Sequence, residues 1–296
     1  MIISVSRRTD IPAFYSDWFF NRLKEGYVLV RNPRGFRRVS RISLGAFDVE
    51  GFVFWTKNPA PMLRRLNELR EYMYYFQFTI TPYGKDIEPN LPSKSTDVIS
   101  SFKELSGLIG SDRVVWRYDP ILINSKYTAS YHAPEFRKMA KELHNHTKKV
   151  TISFVDTKYR GLKSNIEKLM PSDLFAQEKI ELAQVLAGIS QVYGLEIDIC
   201  AEKMDLTEYG IKPARCVDGS FFLAHTAYKK DKNQRPGCCC HVSVDIGSYN
   251  SCAGGCLYCY ANYSKGQVAS NTLAHDPGSP LLYGKIDPED KIYFRT

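Results

Sequence analysis

Val114-Val115-Trp116-Arg117-Tyr118 lies between two helical stripes. Val98, Phe102, Leu105 and Ile109 precede it, Phe136, Met139, Ala140 and Leu143 follow it, and Val150-Thr151-Ile152-Ser153-Phe154 comes next. The two runs are short, β-branched and aromatic, as strands buried in a parallel sheet are. The stripes recur at three- and four-residue spacing, as the buried face of a helix does. Helix and strand alternating over so short a span is the pattern of a parallel α/β fold.

The same alternation extends in both directions. Residues 2–6, 52–55, 74–80 and 195–200 read as further strands. Ser16 is placed to cap a helix carrying Phe19, Phe20 and Leu23, stopped by Gly26. Met62, Leu63, Leu66 and Leu69 form one face of another helix. Ser172 is placed to cap a long one through Leu182, Val185, Leu186 and Ile189, with Gly194 past its end. The expectation is an α/β fold, a TIM-like parallel barrel, full or partial. A doubly wound open sheet is the alternative, though no G-x-G-x-x-G follows the first strand. Beyond residue 200 the chain becomes rich in Cys, Gly, Lys and Asn. Residues 1–200 are therefore read as the barrel core. Residues 201–296 are read as a cysteine-rich, cluster-binding region of the same domain over the barrel mouth, with 241–246 as a further strand.

At 296 residues, 44% hydrophobic and 24% charged, the chain can bury a large core and has the composition of a soluble globular protein. It has no apolar run of about 18 residues, so no membrane span is expected. Met1-Ile2-Ile3-Ser4-Val5-Ser6-Arg7 lacks the order of a signal peptide, so a cytoplasmic location is expected. Eight cysteines there favour metal or redox chemistry over disulfides. The net charge is +8. Two basic groups contribute, Arg31, Arg34, Arg37, Arg38 and Arg41, then Lys229, Lys230, Lys232 and Arg235. They fit either an anionic partner or a solvated basic face.

Chemistry concentrates in Cys252-Ala253-Gly254-Gly255-Cys256-Leu257-Tyr258-Cys259. Three thiolates on a tight, glycine-rich loop suit one compact four-iron cluster and leave one iron open to another ligand. The run resembles the cluster loop of radical S-adenosylmethionine (SAM) enzymes. That resemblance implies a 4Fe-4S cluster whose open iron chelates SAM, with Tyr258 flanking the adenine. It also implies an electron donor such as a flavodoxin or ferredoxin. The ending Tyr258-Cys259-Tyr260-Ala261-Asn262 is also similar to members acting on nucleic-acid lesions, such as the spore photoproduct lyase group. Substrates that are small molecules or nucleic-acid-derived are both consistent with this. Ser6-Arg7-Arg8-Thr9-Asp10-Ile11-Pro12, together with the C-terminal cysteines, resembles the family of domain of unknown function 1848, which carries no known reaction.

Cys200, Cys216, Cys238 and Cys240 form a second group, read as ligands of a second four-iron cluster or of zinc. Alternation points Cys239 away from its neighbours, and His241 is an alternative ligand. At the strand ends lie Thr9, Thr56, Asn58, Thr79, Thr81, Tyr83, Tyr118, Ser153, Asp156, Tyr159, Asp198 and Glu202. Among these ends Arg7, Asp10, Arg117 and Asp119 are the expected catalytic residues, and Arg8 and Lys57 the expected cofactor contacts. Trp55 and Trp116 are expected in the core. The reading is a radical SAM-like enzyme. Its rivals are a nucleic-acid-binding protein with structural metal sites and an iron–sulfur electron-transfer or redox-sensing protein.

Overall fold

The computed structural model describes residues 1–157, 165–171, 176–222, 229–235 and 237–295. Its strands are β1 (Ile2–Val5), β2 (Tyr27–Asn32), β3 (Gly35–Ser43), β4 (Gly51–Thr56), β5 (Tyr74–Thr79), β6 (Val114–Ile121), β7 (Lys149–Phe154), β8 (Glu196–Ile199), β9 (Lys212–Pro213), β10 (Val244–Asp245) and β11 (Lys291–Arg295). The α-helices are α1 (Ile11–Phe14), α2 (Ser16–Glu25), α3 (Ala60–Leu63), α4 (Ile99–Ile109), α5 (Ala129–Leu143), α6 (Ile166–Leu169), α7 (Ala176–Val192) and α8 (Lys265–Leu273).

Eight strands form one parallel sheet in the order β10-β1-β4-β5-β6-β7-β8-β9. Its two faces differ because alternate residues of each strand point oppositely. One face carries Ile3, Phe54, Phe76, Trp116 and Ile152, packed with Phe19 of α2, Phe102 of α4, Phe136 of α5 and Leu186 of α7 in a single apolar core. Phe54 stacks on Phe76 at 4.7 Å and Trp116 on Phe136 at 4.8 Å. Fully burying such a ring contributes about 1.5–3 kcal/mol, so this helix-covered face is the chief source of stability. The other face packs Ile2, Val53, Tyr75 and Val115 against Ala214, Val217, Phe221 and four of the cysteines. Towards the strands' C-terminal ends that face turns polar, with Ser4, Gln77, Arg117, Thr151 and Asp198 all buried.

Several boundaries differ from the expectation. Residues 62–69 are not one helix: α3 ends at Leu63 and a 3-10 turn spans Leu66–Leu69. Ser16 is the first residue of α2 rather than its cap, because α2 follows α1 directly; Asp10 caps α1, accepting from the Ala13 amide at 3.0 Å. The strand expected at 241–246 is only Val244–Asp245, parallel to β1. The expected cap Ser172 and the strand-end residue Tyr159 lie outside the described residues.

A second sheet, β11-β3-β2, was not foreseen. The first basic group lies on it, already partly paired. Arg31 grips Asp290 at 2.6 and 2.8 Å, Arg37 meets Glu289 at 2.5 Å, and Arg41 lies over Tyr27 at 4.0 Å. In the second group, Arg235 reaches Asp156 at 3.7 Å. Among the described residues, no helix is long and apolar enough to cross a membrane.

Candidate functional site

The cysteine loop starts just after β10, and one carboxylate fixes that strand. Asp245 accepts from Ser4 Oγ (3.0 Å), Ser6 Oγ (2.5 Å), the Arg7 amide (2.8 Å), Arg8 Nε (3.1 Å) and the Gly247 amide (3.0 Å). Burial favours its protonated form, but Arg8 and Arg7 outweigh burial and hold its pKa below the ordinary range.

Between β10 and α8 the chain has no helix or strand, so side chains satisfy much of its backbone. Thr9 Oγ1 meets Ser251 Oγ at 2.6 Å and Ser248 O at 2.9 Å. Tyr15 OH donates to Ser251 O at 2.5 Å, and Asn90 Nδ2 to Ala253 O at 2.8 Å. The Leu257 amide donates to Ile87 O at 3.0 Å. Gly255 has φ +68°, and a Cβ there would lie 2.9 Å from Asn90 Nδ2 and 3.3 Å from Pro89 Cγ. Gly255→Ala is therefore expected to lose about 1–3 kcal/mol. Urea denaturation and iron content after anaerobic reconstitution check this, both being expected to fall.

Cys252, Cys256 and Cys259 all line one cavity of about 290 Å³, with Arg7, Lys57 and Arg117. A Cβ on Gly254 would sit 3.5 Å from Cys252 Sγ and 3.8 Å from Cys256 Sγ, so both sulfurs flank the same point. Burial pushes up the pKa of all three thiols; Cys252 rises to about 12, with Asp10 and Cys259 adding to the effect. Three partly buried thiolates need positive charge nearby. Lys57 supplies part of it, favouring the ionised forms of Cys256 and Cys259.

Lys57 belongs to a buried ion cluster behind the loop. Its Nζ lies 2.9 Å from Glu88 Oε1 and 5.3 Å from the centre of the Tyr258 ring. Glu88 also pairs with Lys94, and it accepts from Thr81 Oγ1 at 2.9 and 3.0 Å and from Tyr258 OH. Burial favours the neutral carboxyl of Glu88, yet Lys57 and Lys94 hold its pKa down at about 2. Tyr258 is thus buried with its hydroxyl committed to Glu88 and its ring 5.9 Å from Tyr83, though it still touches the cavity. Glu88 and Lys94 were not foreseen.

The strand ends meet at the cavity. Arg8 pairs with Asp245 and lies over Tyr249 at 5.4 Å. Asp10 also accepts from the Lys57 amide at 2.7 Å, and burial pushes its pKa up to about 6. Arg117 pairs with Asp119, which also takes the Ser153 hydroxyl. Arg117 lies over Trp55 at 5.1 Å, so Trp55 lines the cavity, whereas Trp116 is fully buried in the core. Tyr83 and Tyr118 are buried away in the packing. His241 is buried, its Nδ1 3.1 Å from Val242 O.

The other cysteines also gather. Cys216 Sγ is 3.4 Å from Cys200 Sγ and 3.0 Å from Arg117 Nη1. The amides of Val217 and Cys240 donate to Cys240 Sγ and Cys238 Sγ, each at 3.4 Å. All eight cysteines are described and none is in a disulfide. Among the described residues, no group of three or more His, Cys, Asp and Glu side chains is drawn together as a ready-made site for a metal ion.

The family model for the domain of unknown function DUF1848 matches residues 2–261, and the chain belongs to that family. No curated protein and no solved structure matches the chain.

Proposed function

We propose that the protein is a radical SAM-type iron–sulfur enzyme, with Cys252, Cys256 and Cys259 holding the cluster. One observation carries this reading. The three-cysteine loop follows the C-terminal end of a parallel strand and faces a cavity lined by the ends of β1, β4, β5, β6 and β7. Chemistry in parallel barrels is placed at that end of the strands. On this reading the sheet curls into a TIM-like barrel, full or partial, with β9 and β10 at its margins. The α-helices packed on one face, and the cysteine-bearing segment packed on the other with no α-helix among its described residues, support the curl, since a doubly wound sheet carries helices on both faces. Because β10 is late in the chain yet lies beside β1, the barrel would be a circular permutation of the radical SAM order.

The donors fit in kind, since three thiols on one loop leave a four-iron cluster one open position. When bound, cluster and SAM supply a 5′-deoxyadenosyl radical to a substrate. The chain's own contribution is positioning and charge. Lys57 offsets negative charge beside Cys256 and Cys259, while Glu88 and Tyr258 brace the loop from behind. Asp10 caps α1 and holds the Lys57 amide, so it is a positioning residue. Arg7 and Arg8 tie β10 to β1 through Asp245 and edge the cavity. Arg117, Asp119 and Ser153 form a braced polar row suited to orienting a small-molecule or nucleic-acid-derived substrate. A flavodoxin- or ferredoxin-type donor would deliver the electron, and a reducing cytoplasm suits cysteines outside disulfides.

Equilibrium dialysis of SAM against anaerobically reconstituted protein tests the reading. SAM binding that is lost in Cys256→Ala is expected. Nucleic-acid binding with a steep salt dependence and no SAM binding would instead favour a structural role for the metal.

A further inference from the structure

We propose that Cys200, Cys216, Cys238 and Cys240 form a second, fully thiolate-ligated iron–sulfur site in the same cavity. This inference shares only the cavity with the reading above and does not depend on SAM binding.

The four residues come from three separate places in the chain. Cys200 follows β8, Cys216 lies three residues past β9, and the Cys238–Cys240 pair precedes β10. They meet on the inner face of the sheet, packed with Ile2, Val53, Tyr75 and Val115. Cys216 Sγ lies 3.4 Å from Cys200 Sγ, the Val217 amide next to Cys216 donates to Cys240 Sγ, and the Cys240 amide donates to Cys238 Sγ, each at 3.4 Å. The four are linked in the order 200–216–240–238. Four thiolates are the donor set of either a tetrahedral zinc or a four-iron cluster.

Two surroundings support a redox site over a structural staple. First, the loop bearing Cys216 is already secured without a metal. Tyr75 OH and Gln77 Nε2 each donate to Cys216 O at 2.9 Å, Asp218 N donates to Tyr75 OH at 2.9 Å, and Phe221 stacks on Tyr75 at 4.3 Å. Second, two guanidiniums attend the sulfurs. Arg117 Nη1 is 3.0 Å from Cys216 Sγ, and Arg7 interacts electrostatically with Cys240. Four thiolates exceed the charge of a cluster core, so buried cations beside them are what such a site requires, and hydrogen bonds to sulfur tune its potential. All four residues line the cavity that also holds Cys252, Cys256 and Cys259.

Iron, sulfide and zinc per folded chain test this in anaerobically reconstituted protein, with circular dichroism confirming folding. Wild type is expected to hold about eight irons. The triple variant Cys252→Ala/Cys256→Ala/Cys259→Ala should keep about half, as a cluster whose reduced EPR signal ignores SAM. Cys216→Ala/Cys240→Ala should keep the other half. Cys216→Ser and Cys238→Ser are milder versions in case that variant fails to fold, and Cys239→Ala should change nothing. About four irons in wild type, all lost in the triple variant, would overturn the second site while leaving the SAM cluster intact. Zinc bound by the four cysteines, or a Cys200–Cys216 disulfide in its place, would equally overturn it.

Discussion

Asp245→Ala is expected to destabilise the protein by about 3–5 kcal/mol, the usual cost of removing one partner from a buried charged pair. The loss should be this large because five donors converge on that carboxylate, from β1, from the residues just after it and from Gly247 after β10. β10 has only two residues, registered as Ile3↔Val244 and Ser4↔Asp245, so its own ladder is weak. Without Asp245 the guanidinium of Arg8 loses its closest carboxylate, and the strand leading into the cysteine loop loses its anchor. Asp245→Asn keeps the shape but not the charge and should cost less. Urea denaturation measures both. Iron content should fall in parallel with stability, because the loop's position depends on β10.

Glu88→Ala should be of similar size, about 3–5 kcal/mol, because it leaves the partly buried Lys57 and Lys94 without their shared, fully buried counter-charge. The pH dependence gives an independent check. The Glu88 carboxyl is held at about 2 in the folded protein against an ordinary 4.5. A depressed carboxyl contributes stability that is fully present above its unfolded pKa and lost as pH falls through the folded one. The contribution, on the order of 3 kcal/mol, should fade between roughly pH 4.5 and 2. In Glu88→Gln that part of the slope should vanish. An unchanged slope would show that the cluster of charges is not paired as described.

Much of this was legible in the sequence, for local reasons. The parallel strands announce themselves because β-branched and aromatic runs such as residues 150–154 need burial, and the helices between them keep three- and four-residue spacing. The polar strand ends converge because parallel strands all end on one side. What stayed hidden depends on contacts distant in sequence. Glu88 sits in Asp86-Ile87-Glu88-Pro89-Asn90, a stretch without periodicity, and two of its four partners, Lys57 and Tyr258, are 31 and 170 residues away. Asp245 reads as an ordinary residue of a short strand, because four of its five donors lie 237–241 residues away. The β2–β3 hairpin has a readable turn in Asn32-Pro33-Arg34-Gly35, but the arginines on both of its strands interrupt the apolar alternation that marks a strand. Trp55 illustrates the limit of hydrophobicity alone. Its strand alternates between a helix-packed face and a cavity face, and Trp55 falls on the second.

The central claim is that Cys252, Cys256 and Cys259 hold a cluster with an iron open to SAM. The most direct measurement is the EPR spectrum of the reduced, reconstituted protein with and without SAM, beside Cys252→Ala. A spectral change induced by SAM and absent from the variant is the predicted result. A fully loaded cluster indifferent to SAM, or zinc without iron, would contradict it.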